Sequence, residues 1–130
     1  RELIPVCKQF GVSLTPYSPL AAGRLCRTEW RTGSKRSMTD SMAARKYDST
    51  ESIDHEISLR VAALAEKRGV TMTQISLAWL FAKGVLSPII GATKAKYFDD
   101  AADALDITLT DEEIAYLEET YEPHKISGAR

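Results

Sequence analysis

A chain of 130 residues, 44% of them hydrophobic and 27% charged, is one domain's worth of globular polypeptide with room for a modest core. Lys and Arg number 17 against 18 Asp and Glu, a formal net charge of -1, so nothing pulls the whole chain toward nucleic acid or an anionic membrane, and any polyanion site must be local. No apolar run approaches a bilayer span, and Arg1-Glu2-Leu3-Ile4-Pro5 lacks the form of a signal peptide, so a cytoplasmic protein is expected.

The chain opens on Glu2 to Phe10, which reads as the last turns of a helix closed by Gly11. Residues 12–17 then have the short β-rich look of a buried strand, with Pro16 and Pro19 tolerable only at its exit, where no ladder donor is needed. The exit, Thr15-Pro16-Tyr17-Ser18-Pro19-Leu20-Ala21-Ala22-Gly23-Arg24-Leu25, gathers an aromatic ring, a hydroxyl, two prolines and a glycine where α/β folds place ligands. From Arg24 to Tyr47 hydrophobic periodicity disappears, and Arg24, Arg27, Arg31, Lys35, Arg36, Arg45 and Lys46 stand against only Glu29 and Asp40; residues 24–55 are expected as a long basic loop, with room for a short helix over residues 41–46. Composition favours a solvated charged loop; the sharper alternative is a lid over an anionic ligand held at residues 17–23.

Residues 56–68 are expected as an amphipathic helix on Ile57, Val61, Leu64 and Ala65, ended by Gly69. A capping box, Thr71 to Gln74, opens the next, whose apolar residues through Lys83 wrap most of its circumference, which makes Trp79 a core residue rather than a ligand platform. Residues 85–91 read as a second buried strand, followed by a helix with Thr93 at its N-cap and Tyr97, Phe98, Ala101, Ala102 and Leu105 along it. The box Thr110-Asp111-Glu112-Glu113 announces a last helix burying Ile114, Leu117 and Tyr121.

Strands alternating with helices imply parallel β/α units whose strand exits share one face. Two strands make no stable parallel sheet, so such a chain needs further strands on at least one side. At the shared face Gly91 permits close backbone approach, Thr93 offers a hydroxyl, Lys94 and Lys96 add charge, and the following helix start favours phosphate; Thr93 as an ordinary N-cap needs no ligand. Tyr17 is equally readable as a ring that stacks on a flat heterocycle or as a core tyrosine. Together the two exits suggest a dinucleotide lying across a β/α edge, although no GxGxxG or P-loop is present. Cys7 and Cys26, without a CxxC or neighbouring histidine, indicate neither metal nor disulfide, and reduced thiols are expected. No Ser/His/Asp arrangement or metal-spaced cluster occurs, His55 and His124 read as surface residues, and the pairs Asp99-Asp100 and Glu118-Glu119 diverge on their helices.

Taken in order and spacing, Tyr17 through Leu25, Glu66-Lys67-Arg68-Gly69-Val70, Gln74 through Leu80 and Pro88-Ile89-Ile90-Gly91-Ala92-Thr93-Lys94 resemble the C-terminal part of the aldo-keto reductase family, and Tyr121-Glu122-Pro123-His124 resembles its bacterial and fungal members. The resemblance implies an α/β fold, a (β/α)8 TIM barrel of which this chain is the C-terminal half, supplying strands seven and eight, their helices and the tail. Barrels of that kind typically need about 250 residues, so the N-terminal half would be a missing partner. It implies an oxidoreductase that uses NADP(H) to reduce a small-molecule carbonyl, with no nucleic acid or membrane partner. By motif position Tyr17 resembles the aromatic that stacks on nicotinamide, and Ser18, Pro19, Leu20 and Ala21 resemble the pyrophosphate contacts, with Gly23 in the same loop. Arg27 and the basic loop resemble the segment that closes over the cofactor, Gly91 and Thr93 the contacts of the adenosine 2'-phosphate, and Asp100 the acid near adenine. Tyr97 stands where the family has arginine or glutamine and Ala101 where it has asparagine, which leaves Lys94 or Lys96 to hold the 2'-phosphate. The family's catalytic Asp, Tyr, Lys and His match nothing here, so no catalytic residue is assigned and the chain alone is expected to be inactive; the alternative is a non-catalytic dinucleotide-binding relative or an interaction subunit.

Overall fold

A computed structural model describes residues 2–30, 46–47, 50–92 and 94–123, and its regular elements there are helical. Helix α1, Leu3–Phe10, ends as expected on Gly11 in the left-handed region, with the Val12 amide closing back onto Cys7 O at 2.9 Å. It leaves Leu3, Ile4, Val6 and Phe10 exposed. Helix α2, Glu51–Arg68, starts earlier than the apolar spacing predicts. Two effects extend it: Glu51 and Asp54 place carboxylates against the positive end of the helix, and the Thr50 hydroxyl donates to Asp54 Oδ2 at 2.6 Å. Gly69 closes it, as the sequence indicated.

Helix α3, Met72–Ala82, opens with the expected box: the Gln74 amide donates to the Thr71 hydroxyl at 3.2 Å and the Thr71 amide to Gln74 Oε1 at 2.8 Å. Gln74, Ile75, Ser76, Leu77 and Ala78 are all buried, five consecutive positions that cover every side of the helix. Helix α4, Ala95–Asp103, runs into a 3-10 turn, Ala104–Asp106, and helix α5, Asp111–Glu118, starts from the reciprocal Thr110/Glu113 box.

The core lies where α2, α3 and α5 meet, with Val61, Leu64, Ala65, Ile75, Ala78, Leu109 and Leu117 in one cluster and Leu25, Val70, Trp79 and Ile114 packed against it. Burying each large aliphatic side chain contributes about 2 kcal/mol. Trp79 keeps its polar end satisfied by donating to Glu118 at 2.7 Å, while Glu119 turns the other way to Arg60 at 2.7 Å, so that pair diverges as the helical geometry requires.

Several expectations are corrected. Residues 12–17 and 85–91 form no regular strand among the described residues; they meet in a single parallel bridge, Tyr17 to Ile89, with the Ile89 amide on Pro16 O at 3.0 Å. Two extended segments share only one edge, and neither has a second neighbour here to extend the ladder. The basic loop is shorter than residues 24–55, because its first residues belong to a turn at Ala21–Cys26 and residues 51–55 to α2. Lys94, not Thr93, takes the N-cap position of α4 and makes no side-chain cap. Tyr121, expected to be buried by the last helix, lies beyond α5 and is exposed, because α5 ends one turn before it. Thr93, His124 and the loop residues Arg31, Lys35, Arg36 and Arg45 lie outside the described residues, as does all but the last residue of the short helix expected over residues 41–46. Among those described, no helix is long and apolar enough to cross a membrane.

Candidate functional site

The Tyr17–Ile89 bridge puts the two strand exits on one edge, so the chain after Tyr17 and the chain after Ile89, through Gly91 and Ala92, leave the fold side by side. Tyr17 is 77% exposed in this chain. Lys46, from the basic loop, places its ammonium 5.6 Å from the ring centroid, so a described part of that loop does reach over Tyr17.

Beyond Tyr17 the backbone is unusual. Ser18, Ala21 and Ala22 all have left-handed φ angles of 55°, 49° and 57°, followed by Gly23 at 89°. Each non-glycine residue there costs about 1 kcal/mol or more, and such conformations persist where surrounding structure over-determines them. The Ser18 hydroxyl accepts from the Ala22 amide at 3.3 Å, the Gly23 amide reaches Leu20 O at 2.8 Å, and Ala21–Cys26 forms two short 3-10 turns joined through Ala22 and Gly23. The Ser76 hydroxyl of α3 donates to Leu25 O at 3.0 Å and pins this turn to the core. Pro19 and Leu20 form the corner of the turn and are half-buried.

Gly23 is needed for its φ, and a Cβ built there would stand 2.8 Å from the nearest Arg27 guanidinium nitrogen, which the flexible end of that side chain can yield. Arg27 is otherwise exposed. At the second exit a Cβ on Gly91 would meet nothing within 4 Å, so the space above it is open. Lys94 is exposed at the start of α4, and Lys96 lies over the Tyr97 ring at 5.3 Å. Asp100 is half-buried on the inner side of the turn, beside Cys26. Burial pushes the Cys26 thiol up; a hydrogen bond to Thr73 and the charge of Arg27 pull against this, and Asp100 adds to the rise.

The sequence reading missed a cluster just after the turn. Trp30 donates its indole N–H to both Arg24 O at 2.9 Å and Arg27 O at 3.0 Å, and the Arg24 guanidinium lies 4.6 Å over its ring. His55, half-buried, packs T-shaped against Trp30 with ring centroids 5.4 Å apart and shares a hydrogen bond with Thr28 O at 3.2 Å, so it is tied into this region. Thr28, Glu29, Trp30, Glu51 and His55 line an open depression of about 260 Å³. The one available signal was a tryptophan standing alone in a polar stretch. Among the described residues no three His, Cys, Asp or Glu side chains could hold a metal ion.

The Aldo/keto reductase family model matches residues 1–122, and the chain belongs to that family. It is 40% identical to the versiconal hemiacetal acetate reductase of Aspergillus parasiticus over 129 residues, 97% of this chain and 37% of the relative. It is 39% identical to an aldo-keto reductase of Metarhizium robertsii and 37% identical to one of Fusarium vanettenii, each over 98% of this chain and 34% of the relative. The chain therefore spans about a third of the length of the curated relatives it matches, less than the half expected from the motifs. The family implies a (β/α)8 barrel.

Proposed function

We propose that this chain is the cofactor-binding, C-terminal portion of a (β/α)8 barrel, contributing its last two strands to an NADP(H)-dependent cytoplasmic oxidoreductase that reduces aldehydes or ketones to alcohols. The observation that carries the reading is the parallel Tyr17–Ile89 bridge, which brings an exposed ring with a left-handed turn and an open glycine exit to one edge. Family membership and relatives named as reductases support the reaction class.

The residues present suit a dinucleotide. Tyr17 offers a free ring face for nicotinamide; the turn at Ser18, Pro19, Leu20, Ala21 and Gly23 offers backbone for the pyrophosphate, with Arg27 as the cation above it. Gly91, Thr93 and Lys94 serve the 2'-phosphate, with Tyr97 and Asp100 toward adenine. NADP(H), when bound, supplies the hydride for the carbonyl. The residues of this chain orient and enclose it: Tyr17 fixes the ring plane, the turn, closed by its own amide hydrogen bonds, holds the backbone beneath it in one shape, and the basic loop bearing Lys46 excludes water. Proton donation and carbonyl polarisation belong to the rest of the barrel, which is the chain's partner in this reading.

In the full-length protein, Tyr17→Ala is expected to lower kcat/KM by more than it weakens binding of the adenosine half of the cofactor; an unchanged reductase rate overturns the assignment. Lys94→Ala is expected to weaken NADPH more than NADH, read by fluorescence titration, and equal losses count against a 2'-phosphate seat there.

A further inference from the structure

Four carbonyls in a five-residue stretch accept hydrogen bonds from side chains outside the turn. Arg24 O and Arg27 O share the Trp30 indole N–H, Leu25 O takes the Ser76 hydroxyl, and Thr28 O meets His55 Nε2. Backbone fastened in this way cannot rotate without breaking bonds to α2 and α3, so the direction in which Arg27 leaves the chain is fixed. Its guanidinium lies over Gly23, in the space a Cβ would occupy. Arg24, the other cation of the turn, is drawn the opposite way, onto the faces of Trp30 at 4.6 Å and Tyr47 at 5.3 Å.

We propose that Trp30 is a positioning residue, whose single indole N–H clamps both ends of the Arg24–Arg27 segment and whose ring takes up Arg24, so that Arg27 alone is presented over Gly23 to a ligand pyrophosphate. This rests on the functional reading above. Trp30 acts through the backbone, by the bonds of its indole N–H to Arg24 O and Arg27 O. His55 supports it by holding the indole edge and the next carbonyl, which gives a purpose to a histidine that the reaction itself does not use.

The test is a double-mutant cycle in the full-length protein with Trp30→Phe, which keeps an aromatic ring and removes the N–H, and Arg27→Gln. Affinity is measured for NADPH and for adenosine 2'-monophosphate, which lacks the pyrophosphate. Trp30→Phe is expected to weaken NADPH about tenfold, a loss of the size expected for shared neutral hydrogen bonds, and to leave adenosine 2'-monophosphate unchanged. In the Arg27→Gln background the same change is expected to cost less than about twofold, because the guanidinium it serves is gone. Equal losses in both backgrounds, or equal losses for both ligands, overturn the proposal and leave Trp30 a purely structural residue. A parent protein that binds no dinucleotide overturns the functional reading and this proposal with it.

Discussion

The helical layer and the strand-exit edge are stabilised in opposite ways. In α2, α3 and α5 the apolar residues bury one another and both capping boxes satisfy the helix starts from within the same few residues. At the exit edge almost nothing apolar is buried: Tyr17 is 77% exposed and Ile89 55%, the backbone holds three non-glycine residues at positive φ, and order comes from side chains reaching distant carbonyls. Part of the chain keeps itself folded, and the other is held in an unfavourable shape by the first. Ser76 is the link, buried in α3 yet bonded to Leu25 O.

The largest effect that separates the two regions is expected from Ile75→Ala. Ile75 is fully buried in the helical core, and its truncation should lower unfolding free energy by about 3 kcal/mol in urea denaturation. The dinucleotide affinity of the folded protein should stay within twofold; a matching fall in affinity would break the division between support and site. Gly23→Ala attacks the other region. A Cβ there is strained by a φ of 89° and meets Arg27, so stability should fall by about 1 kcal/mol, and the guanidinium should swing away with a loss of NADPH affinity of about tenfold. Thr110→Ala removes the cap of α5 and should cost about 1 kcal/mol with no change in cofactor affinity, since α5 packs its Leu117 and Ile114 on the helical core.

Legibility in the sequence follows the same division. Signals that act over three or four residues were readable: the Thr71–Gln74 and Thr110–Glu113 boxes, the closures at Gly11 and Gly69, and the Val61, Leu64, Ala65 face. The start of α2 was missed because apolar spacing begins at Ile57, whereas Glu51 and Asp54 extend the helix by charge. Trp30 and His55 were missed for another reason. Their partners are carbonyls of residues 24, 27 and 28, and a backbone oxygen leaves no mark on composition. The seating of Tyr17 beside Ile89 required two segments more than 70 positions apart, and only the β/α alternation hinted at it.

The smallest expected effect sharpens where the boundary runs, because it falls on a residue of the turn that faces inward. Cys26 ends the Ala21–Cys26 turn, and burial raises its thiol pKa despite the Thr73 hydrogen bond and the nearby Arg27 charge. Below the ordinary thiol pKa both folded and unfolded chains keep the proton, and the group gives stability no pH dependence. Between that value and the raised one the folded chain holds a proton the unfolded chain has lost, so stability should fall as pH rises through this alkaline window. Alkylation of Cys26 by iodoacetamide in a Cys7→Ser background should accordingly be slower than that of a small free thiol at the same alkaline pH. Arg27→Gln removes a cation that favours the thiolate and should slow it further. A rate equal to the free thiol would place the inner side of the turn with the exposed edge rather than with the core, and the support would then stop at α3.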